Sequence, residues 1–244
     1  MTEWFEEWFN SKEYLEVYQH RNESDAKLLF ELIEKHAKIP ERGKVLDLAC
    51  GSGRHSILFA RKGFEVTGID LSENLLRIAE TSARKEKLGI EFIKADLRHI
   101  EAIEKYDLVV NLFTSFGYFN NDYENFSIFK SASGFLKPGG YFVFDFLNSV
   151  FVEKNLVRES KEVKSHENII QRRRIEGDRV IKDIIIQHNG STKTFYESVK
   201  MYREQELKEA IRENGLAIKE TFGDFTGRNF IEETSPRIII IAQK

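Results

Sequence analysis

Apolar and polar positions follow three regimes along the chain. From Lys44 to about Asn148, short apolar runs alternate with stretches whose apolar residues recur every three or four positions. The runs predict strands at 44–48, 64–69, 91–94, 106–110 and 140–146. The longer period predicts helices at 54–62, 73–87, about 98–103 and 122–136. Period-2 and period-3.6 segments in strict alternation imply a parallel sheet with helices on both faces.

The flanking regions read differently. Residues 3–37 carry a helical pattern, with Trp4, Phe5, Trp8 and Phe9 on one aromatic face and Asn22 and Ser24 placed to interrupt and restart it. After Asn148, residues 160–175 and 179–188 alternate polar and apolar around Gly177-Asp178, and Asn189-Gly190 is a hairpin signal leading into a third strand at 192–202. A helix at 203–214 ending on Gly215, then strands at 217–224 and 236–243, complete the chain. The expected organisation is a helical cap over 1–43, an α/β core over 44–150 and 203–244, and an antiparallel β insertion over 151–202.

One stretch combines this pattern with chemistry. The strand Val45-Leu46-Asp47-Leu48 runs into Ala49-Cys50-Gly51-Ser52-Gly53 and then opens a helix at Arg54-His55. Glycine permits positive φ and close approach of a ligand to the main chain. The next strand stops on an acid, Gly68-Ile69-Asp70, a position suited to ribose hydroxyls in a nucleotide-binding βαβ unit. The dinucleotide pattern G-x-G-x-x-G is incomplete, because Ser56 stands at its third glycine. A phosphate wants free N–H groups and positive potential at the helix start, and Asp47 opposes it. The carboxylate suits a ligand carrying ammonium and sulfonium charges, which describes S-adenosylmethionine.

At these residues the chain resembles the class I S-adenosylmethionine-dependent methyltransferases. Val45 to His55, followed by Gly68 to Leu76, is similar to the first two motifs of that family. Lys94-Ala95-Asp96-Leu97-Arg98 resembles its adenine-binding turn, Tyr106 to Phe113 its fourth strand, Phe135 to Tyr141 the turn before its fifth strand, and Ser235 to Ile241 its last strand. The resemblance is ordered and runs from about Lys44 to the C-terminus. It implies a Rossmann-like, mostly parallel seven-stranded sheet whose last strand is antiparallel. The three-stranded insertion resembles those of small-molecule and sugar amine methyltransferases, where such units lie over the site or at a dimer contact.

The resemblance implies a set of cofactor positions. Asp47, with Ala49, Cys50, Gly51 and Gly53, would hold the methionine end; Asp70 would accept from ribose hydroxyls, with Leu71 against adenine; Asp96 would accept from the adenine amino group beside Leu97; and Asn111 and Leu112 would end the fourth strand at the ligand edge. On the N-terminal helix, Arg21 is a candidate for the cofactor carboxylate, with Tyr14 and Tyr18 covering the methyl donor. Phe113, Phe116, Tyr118 and Phe119 are candidate walls of an acceptor pocket, and Tyr118 and His20 are candidate proton acceptors. Asn111-Leu112-Phe113-Thr114 departs from the N-P-P-Y type motif, which argues against a DNA- or glutamine-modifying enzyme.

Composition narrows the partners. A net charge of −3 disfavours a nucleic-acid binder, and the single cysteine, Cys50, excludes an internal disulfide. No signal-peptide pattern and no membrane-length apolar run are evident, so a cytoplasmic protein is expected. Asp145 and Asn148 are a thin match to a magnesium site, the histidines lack zinc spacing, and no metal is expected. Arg172-Arg173-Arg174 reads as a mostly solvated strand face. The expected activity is methyl transfer from S-adenosylmethionine to a nitrogen or oxygen of a small molecule. An RNA or protein methyltransferase and a non-catalytic cofactor-binding scaffold are the alternatives, and a homodimer contact through Trp4 and Trp8 is left open.

Overall fold

The computed structural model describes residues 3–18, 23–100, 105–164, 167–188 and 190–244. Five strands of the main sheet follow the predicted alternation: β1 (Lys44–Leu48), β2 (Glu65–Asp70), β3 (Ile90–Lys94), β4 (Tyr106–Asn111) and β5 (Leu136–Leu147). They alternate with α4 (Arg54–Arg61), α5 (Glu73–Lys85) and α6 (Asp122–Phe135). The helix expected at about 98–103 is instead a single 3-10 turn, Leu97–His99, capped by the Asp96 side chain; residues 101–104 lie outside the described residues. Strand β5 begins earlier than the apolar run suggests, because Leu136 already pairs with Tyr106 before the Pro138-Gly139-Gly140 turn shifts the register.

Helix α8 (Glu204–Glu213) and strands β10 (Ala217–Phe222) and β11 (Arg237–Gln243) close the fold. The sheet order is β10-β11-β5-β4-β1-β2-β3. Strand β11 inserts antiparallel between β10 and β5, as expected for the final strand. Both sheet faces are covered, and this explains the continuous apolar runs. On one face Val109, Phe142, Phe144, Phe146, Ile238 and Ile240 pack with Phe116, Phe129, Leu207 and Ile211. On the other, Val45, Leu108, Val110, Val143, Ile239 and Ile241 pack against Leu29, Phe30, Ile33 and Phe59.

The predicted N-terminal helix is three helices: α1 (Trp4–Asn10), α2 (Lys12–Tyr18) and α3 (Glu23–His36). The first break falls at Ser11, whose extended backbone caps α1 while its hydroxyl donates to the Trp8 carbonyl at 2.7 Å. Asn22 lies outside the described residues.

The insertion differs from expectation in two ways. A short helix, α7 (Ser149–Asn155), follows β5, capped by Asn148. The sheet then has four strands rather than three: β6 (Glu159–Lys164), β7 (Glu167–Glu176), β8 (Arg179–His188) and β9 (Ser191–Lys200), in sequence order and antiparallel. The segment read as one strand is two, with Lys164 paired to Glu167. No Gly or Pro marks that reversal, and the polar first strand forms the sheet edge, where charge is tolerated. Asn189 lies outside the described residues, but β8 and β9 pair in register on either side of it.

Helices α1 and α2 join the two sheets. Trp8 and Val17 pack on Ile169, Ile184 and Ile186 of the small sheet. The other end of α1 meets α5 of the large one, where the Ser72 hydroxyl donates to the Phe9 carbonyl at 2.8 Å and Asn74 bonds the Asn10 carbonyl. The aromatic face is therefore largely turned inward, with Trp8 1% exposed and Phe5 4%. Among the described residues, no helix is long and apolar enough to cross a membrane.

Candidate functional site

The carboxyl ends of β1, β2 and β4 open into a cavity of about 860 Å³ roofed by α1 and α2. Its floor is the β1–α4 loop. Ala49, Gly51 and Gly53 all adopt left-handed φ there, at 59°, 57° and 77°. Gly53 is required twice over. Its φ disfavours any side chain, and a Cβ would sit 2.8 Å from that of Ala79 on α5.

Asp70 braces this loop. One carboxylate oxygen accepts from the Gly51 N–H at 2.7 Å and the other from Ser72 N–H at 2.8 Å. Capping of α5 falls to Ser72, whose hydroxyl accepts from Leu75 N–H, and not to Asp70. Burial raises the Asp70 carboxyl above its ordinary range, and the backbone N–H bonds from Ser72, Gly51 and Leu71 oppose that. Asp47 is 2% exposed and accepts from the Ser56 hydroxyl at 2.6 Å. Burial pushes it up to about 7; the Ser56 bond opposes the shift, and the Asp70 charge adds to it. Two carboxyl groups thus face one cavity end, and a cation there would relieve both.

Most of the expected cofactor residues line the cavity: Tyr14, Tyr18, Asp47, Ala49, Cys50, Gly51, Asp70, Leu71, Asp96, Leu97 and Leu112. Two do not. Gly53 lies behind the loop against Ala79. Asn111 is fully buried and turns its amide to the carbonyls of Leu48 and Ser115, at 2.9 and 3.3 Å. Arg21 and His20 lie outside the described residues. Cys50 is an ordinary loop residue, its thiol raised well above its usual value, first by burial and then by the Asp47 and Asp70 charges. It is therefore held as the unreactive thiol.

Asp96 is more constrained than its sequence suggests. Arg98, two residues on, binds both its oxygens, at 2.6 Å from Nη2 to Oδ2 and 3.1 Å from Nε to Oδ1. Burial would raise the Asp96 carboxyl, but the Arg98 bonds outweigh it and hold it low. The same guanidinium reaches Glu124 at 3.3 Å and lies 4.6 Å over the Phe119 ring. Asp96 thus fixes the turn through Arg98 as well as facing the cavity.

The loop after β4 forms the wall opposite the floor. Phe113 and Thr114 both take left-handed φ, 57° and 63°, a costly arrangement for two consecutive side-chain-bearing residues. Asp145, fully buried, holds them: its carboxylate accepts from Phe113 N–H at 2.8 Å, its carbonyl from Thr114 N–H at 3.2 Å, and its other oxygen from Arg237 at 2.9 Å. Asn148 caps α7 and donates to the Glu232 and Ser235 carbonyls. Both polar residues at the carboxyl end of β5 are thereby structural, and no cluster of metal-ligating side chains occurs among the described residues. Of the expected aromatic walls, Phe113, Tyr118 and Phe119 serve as such. Phe116 also reaches the cavity but is 4% exposed and packs mainly in the core, stacked on Phe126 and Phe129 and edge-on to Phe144 and Phe146.

The roof is aromatic and anchored. Trp4 packs on Tyr118 at 5.4 Å, Phe9 on Tyr118 at 5.5 Å, and Tyr14 on Tyr18 at 5.0 Å. Glu197 on β9 accepts from Trp8 Nε1 and Lys182 Nζ, each at 2.7 Å, and from the Tyr18 hydroxyl. Lys193 binds Glu13 at 2.6 Å. Tyr118 donates its hydroxyl to the Thr114 carbonyl at 2.8 Å. His55, 6% exposed on the cavity wall beside Phe113, is pushed down to about 3 by burial, then by Arg54, and so stays neutral. Sequence reasoning missed Lys182, Glu197 and His55 as cavity residues. Period-2 alternation marks which side chains of β8 and β9 share a face, but only the packing of α1 and α2 shows that the face is enclosed.

Comparison with known proteins gives the same picture. A methyltransferase-domain family model matches residues 45–140. A putative methyltransferase, YqeM of Bacillus subtilis (strain 168), is 43% identical over 110 residues, 45% of this chain and 44% of that protein. A dTDP-3-amino-3,4,6-trideoxy-alpha-D-glucopyranose N,N-dimethyltransferase of Streptomyces venezuelae is 33% identical over 107 residues, 44% of each. Both matches thus span less than half of the relative's length. The fold matches a crystal structure of an S-adenosylmethionine-dependent methyltransferase from Clostridium acetobutylicum ATCC 824 with a TM-score of 0.81 at 20% identity, over 95% of this chain and 97% of that one. Motif order, sheet topology and these matches agree: residues 45–140 match a methyltransferase domain, and the chain has the fold of S-adenosylmethionine-dependent methyltransferases.

Proposed function

We propose that this chain transfers a methyl group from S-adenosylmethionine to a nitrogen or oxygen nucleophile of a small molecule enclosed in the same cavity. The observation that carries the reading is one continuous cavity joining the Asp47–Gly51–Asp70 floor to the aromatic chamber under α1 and α2. A volume of about 860 Å³ is near the upper end for a drug-sized ligand, so a cofactor and a small acceptor fit together.

The residues present fit the cofactor's chemistry. Asp70 is fixed by two main-chain N–H groups and retains lone pairs for vicinal hydroxyls. Leu71 and Leu97 supply apolar surface for a purine, and Asp96 retains acceptor capacity beside its Arg98 bonds. Asp47 places carboxylate charge where an ammonium and a sulfonium would lie. Tyr14 and Tyr18 cover that end, and Arg21 remains the candidate for the cofactor carboxylate.

The cofactor supplies an electrophilic methyl group on a sulfonium. The chain's own part is alignment of the nucleophile and exclusion of water, for which the roof and the braced β4 loop are suited. An apolar chamber favours the neutral form of an entering amine. Tyr118 and His20 stay the candidates for receiving its proton. The Streptomyces venezuelae relative is named for an amino-sugar substrate, which supports a small-molecule acceptor here. We further propose that residues 1–43 and 151–202 act together as cap and lid over a core formed by 44–150 and 203–244.

Calorimetric titration with S-adenosylhomocysteine, followed by turnover assays over amines, phenols, sugars and acids, tests this reading. Binding with turnover of at least one acceptor is the expected result. Absence of binding would overturn it. Binding with no turnover across the panel would favour a cofactor-binding scaffold, and steeply salt-dependent RNA binding would favour an RNA substrate.

A further inference from the structure

The inner face of the small sheet carries an unbalanced charge row. Strand register places Arg173 on β7 directly opposite Lys182 on β8, and Lys182 opposite Glu197 on β9. All three side chains line the cavity. Two cations and one carboxylate therefore share one row, with like charges as direct cross-strand neighbours, an arrangement that costs stability in a sheet. The carboxylate is already engaged: Glu197 accepts from Lys182, Trp8 and Tyr18.

Arg173 is left with neutral acceptors. Its Nη2 donates to Gln171 Oε1 at 2.7 Å, and its Nη1 to Ser160 Oγ at 3.0 Å and, more weakly, to the Val157 carbonyl at 3.4 Å. Its neighbours behave differently. Arg172 pairs with Glu159, and Arg174 with Glu176 and Asp183, on the outer face. Of the other arginines lining the cavity, Arg237 is committed to Asp145 and Arg54 lies 4.9 Å over the Phe113 ring. Among the described residues, Arg173 has no carboxylate partner, and three neutral acceptors hold its planar fork in place.

We propose that Arg173 binds an anionic group, a carboxylate or a phosphate ester, on the methyl acceptor, with the Lys182 charge beside it adding to the attraction. A guanidinium pre-oriented by neutral acceptors binds such a group bidentately. The anion would supply the charge that the row lacks. Arg173 stands on the small sheet and Asp47 and Asp70 on the large one, so the anion would be held by a different part of the cavity wall from the cofactor floor. This assignment rests on the reading of the cavity as a cofactor and acceptor chamber.

The test uses the full chain saturated with S-adenosylhomocysteine. Phenyl phosphate, phenylacetate and the neutral benzyl alcohol are titrated into the wild type, Arg173→Gln and Arg173→Lys, with ligand-observed NMR as the readout. At least one anionic probe is expected to bind ten-fold or more tightly than benzyl alcohol, the tighter of the two naming phosphate or carboxylate as the source. Arg173→Gln should abolish that preference, Arg173→Lys should keep part of it, and S-adenosylhomocysteine affinity should be unchanged in both. Equal binding of neutral and anionic probes, or an anion preference that survives Arg173→Gln, would overturn the assignment. Failure of S-adenosylhomocysteine to bind the wild type would instead remove the methyltransferase reading on which it rests. Thermal melting of the variants separates loss of the anion contact from loss of fold.

Discussion

At the scale of single residues, the site is governed by carboxylates held against their solvation preference. Asp47 and Asp70 are buried at the cavity floor, and a ligand cation is what would reverse the cost. The sign of the pH effect follows. In the folded protein Asp47 titrates at about 7, above its unfolded value of roughly 4, so it binds protons more tightly when folded. Its contribution to stability therefore falls as pH rises between those values. Ligand binding to the charged form strengthens over the same rise. S-adenosylhomocysteine affinity should increase from about pH 6 to about pH 8 in the wild type. In Asp47→Asn it should be weaker at the upper limit and nearly flat between them, as calorimetry at several pH values will show. Asp70→Ala should weaken the same binding by at least ten-fold, about 1.5–3 kcal/mol, the range for hydrogen bonds to a charged group. The glycine loop and the acid that ends β2 identify this floor from sequence, because their spacing is a backbone property. The Arg98 grip on Asp96 and the inward turn of Arg173 are not evident, because both depend on how side chains meet after folding.

At the scale of elements, α1 and α2 form part of the cavity wall. Helices α1 and α2 are each seven residues long, too short to be stable alone. They persist because Trp8 buries its indole against Phe195, with ring centroids 4.6 Å apart, and because Glu197, Lys182 and Tyr18 tie α2 to the small sheet. Glu197→Gln should loosen the roof by on the order of 2 kcal/mol, since it leaves the Lys182 charge poorly compensated. Faster amide exchange over residues 4–18, with exchange in the main sheet unchanged, is the expected signature. S-adenosylhomocysteine should slow exchange in the same helices, because Tyr14 and Tyr18 line the cavity wall. The aromatic spacing of Trp4, Phe5, Trp8 and Phe9 marks one helix face in the sequence. Its partner surface does not appear there, because β7, β8 and β9 lie more than 150 residues further on.

At the scale of the whole molecule, one large sheet with two buried faces carries the stability, and a smaller sheet supplies part of the cavity wall. Truncating the main core should be severe. Phe144 is fully buried and contacts Phe116, Phe129, Phe142 and Phe146, so Phe144→Ala should cost about 3–5 kcal/mol in urea unfolding. Substitutions on the outer face of the small sheet, such as Arg172→Gln, should change stability by less than about 0.5 kcal/mol, because exposed ion pairs contribute little.

The alternation of apolar periods along this chain, with the glycines after β1, was enough to determine the parallel core, its strand bounds to within a few residues and the loop that lines the cavity. Those features follow from local geometry: a pleat repeats every two residues, a helix every 3.6, and only glycine turns freely left-handed. Tertiary structure alone decided the fourth strand of the insertion, the burial of Trp8, the retreat of Asn111 and Gly53 from the cavity wall, and the charge row of Arg173, Lys182 and Glu197. Each of these depends on which distant surfaces meet. That outcome is set by packing across the folded molecule rather than by the periodicity of any one segment.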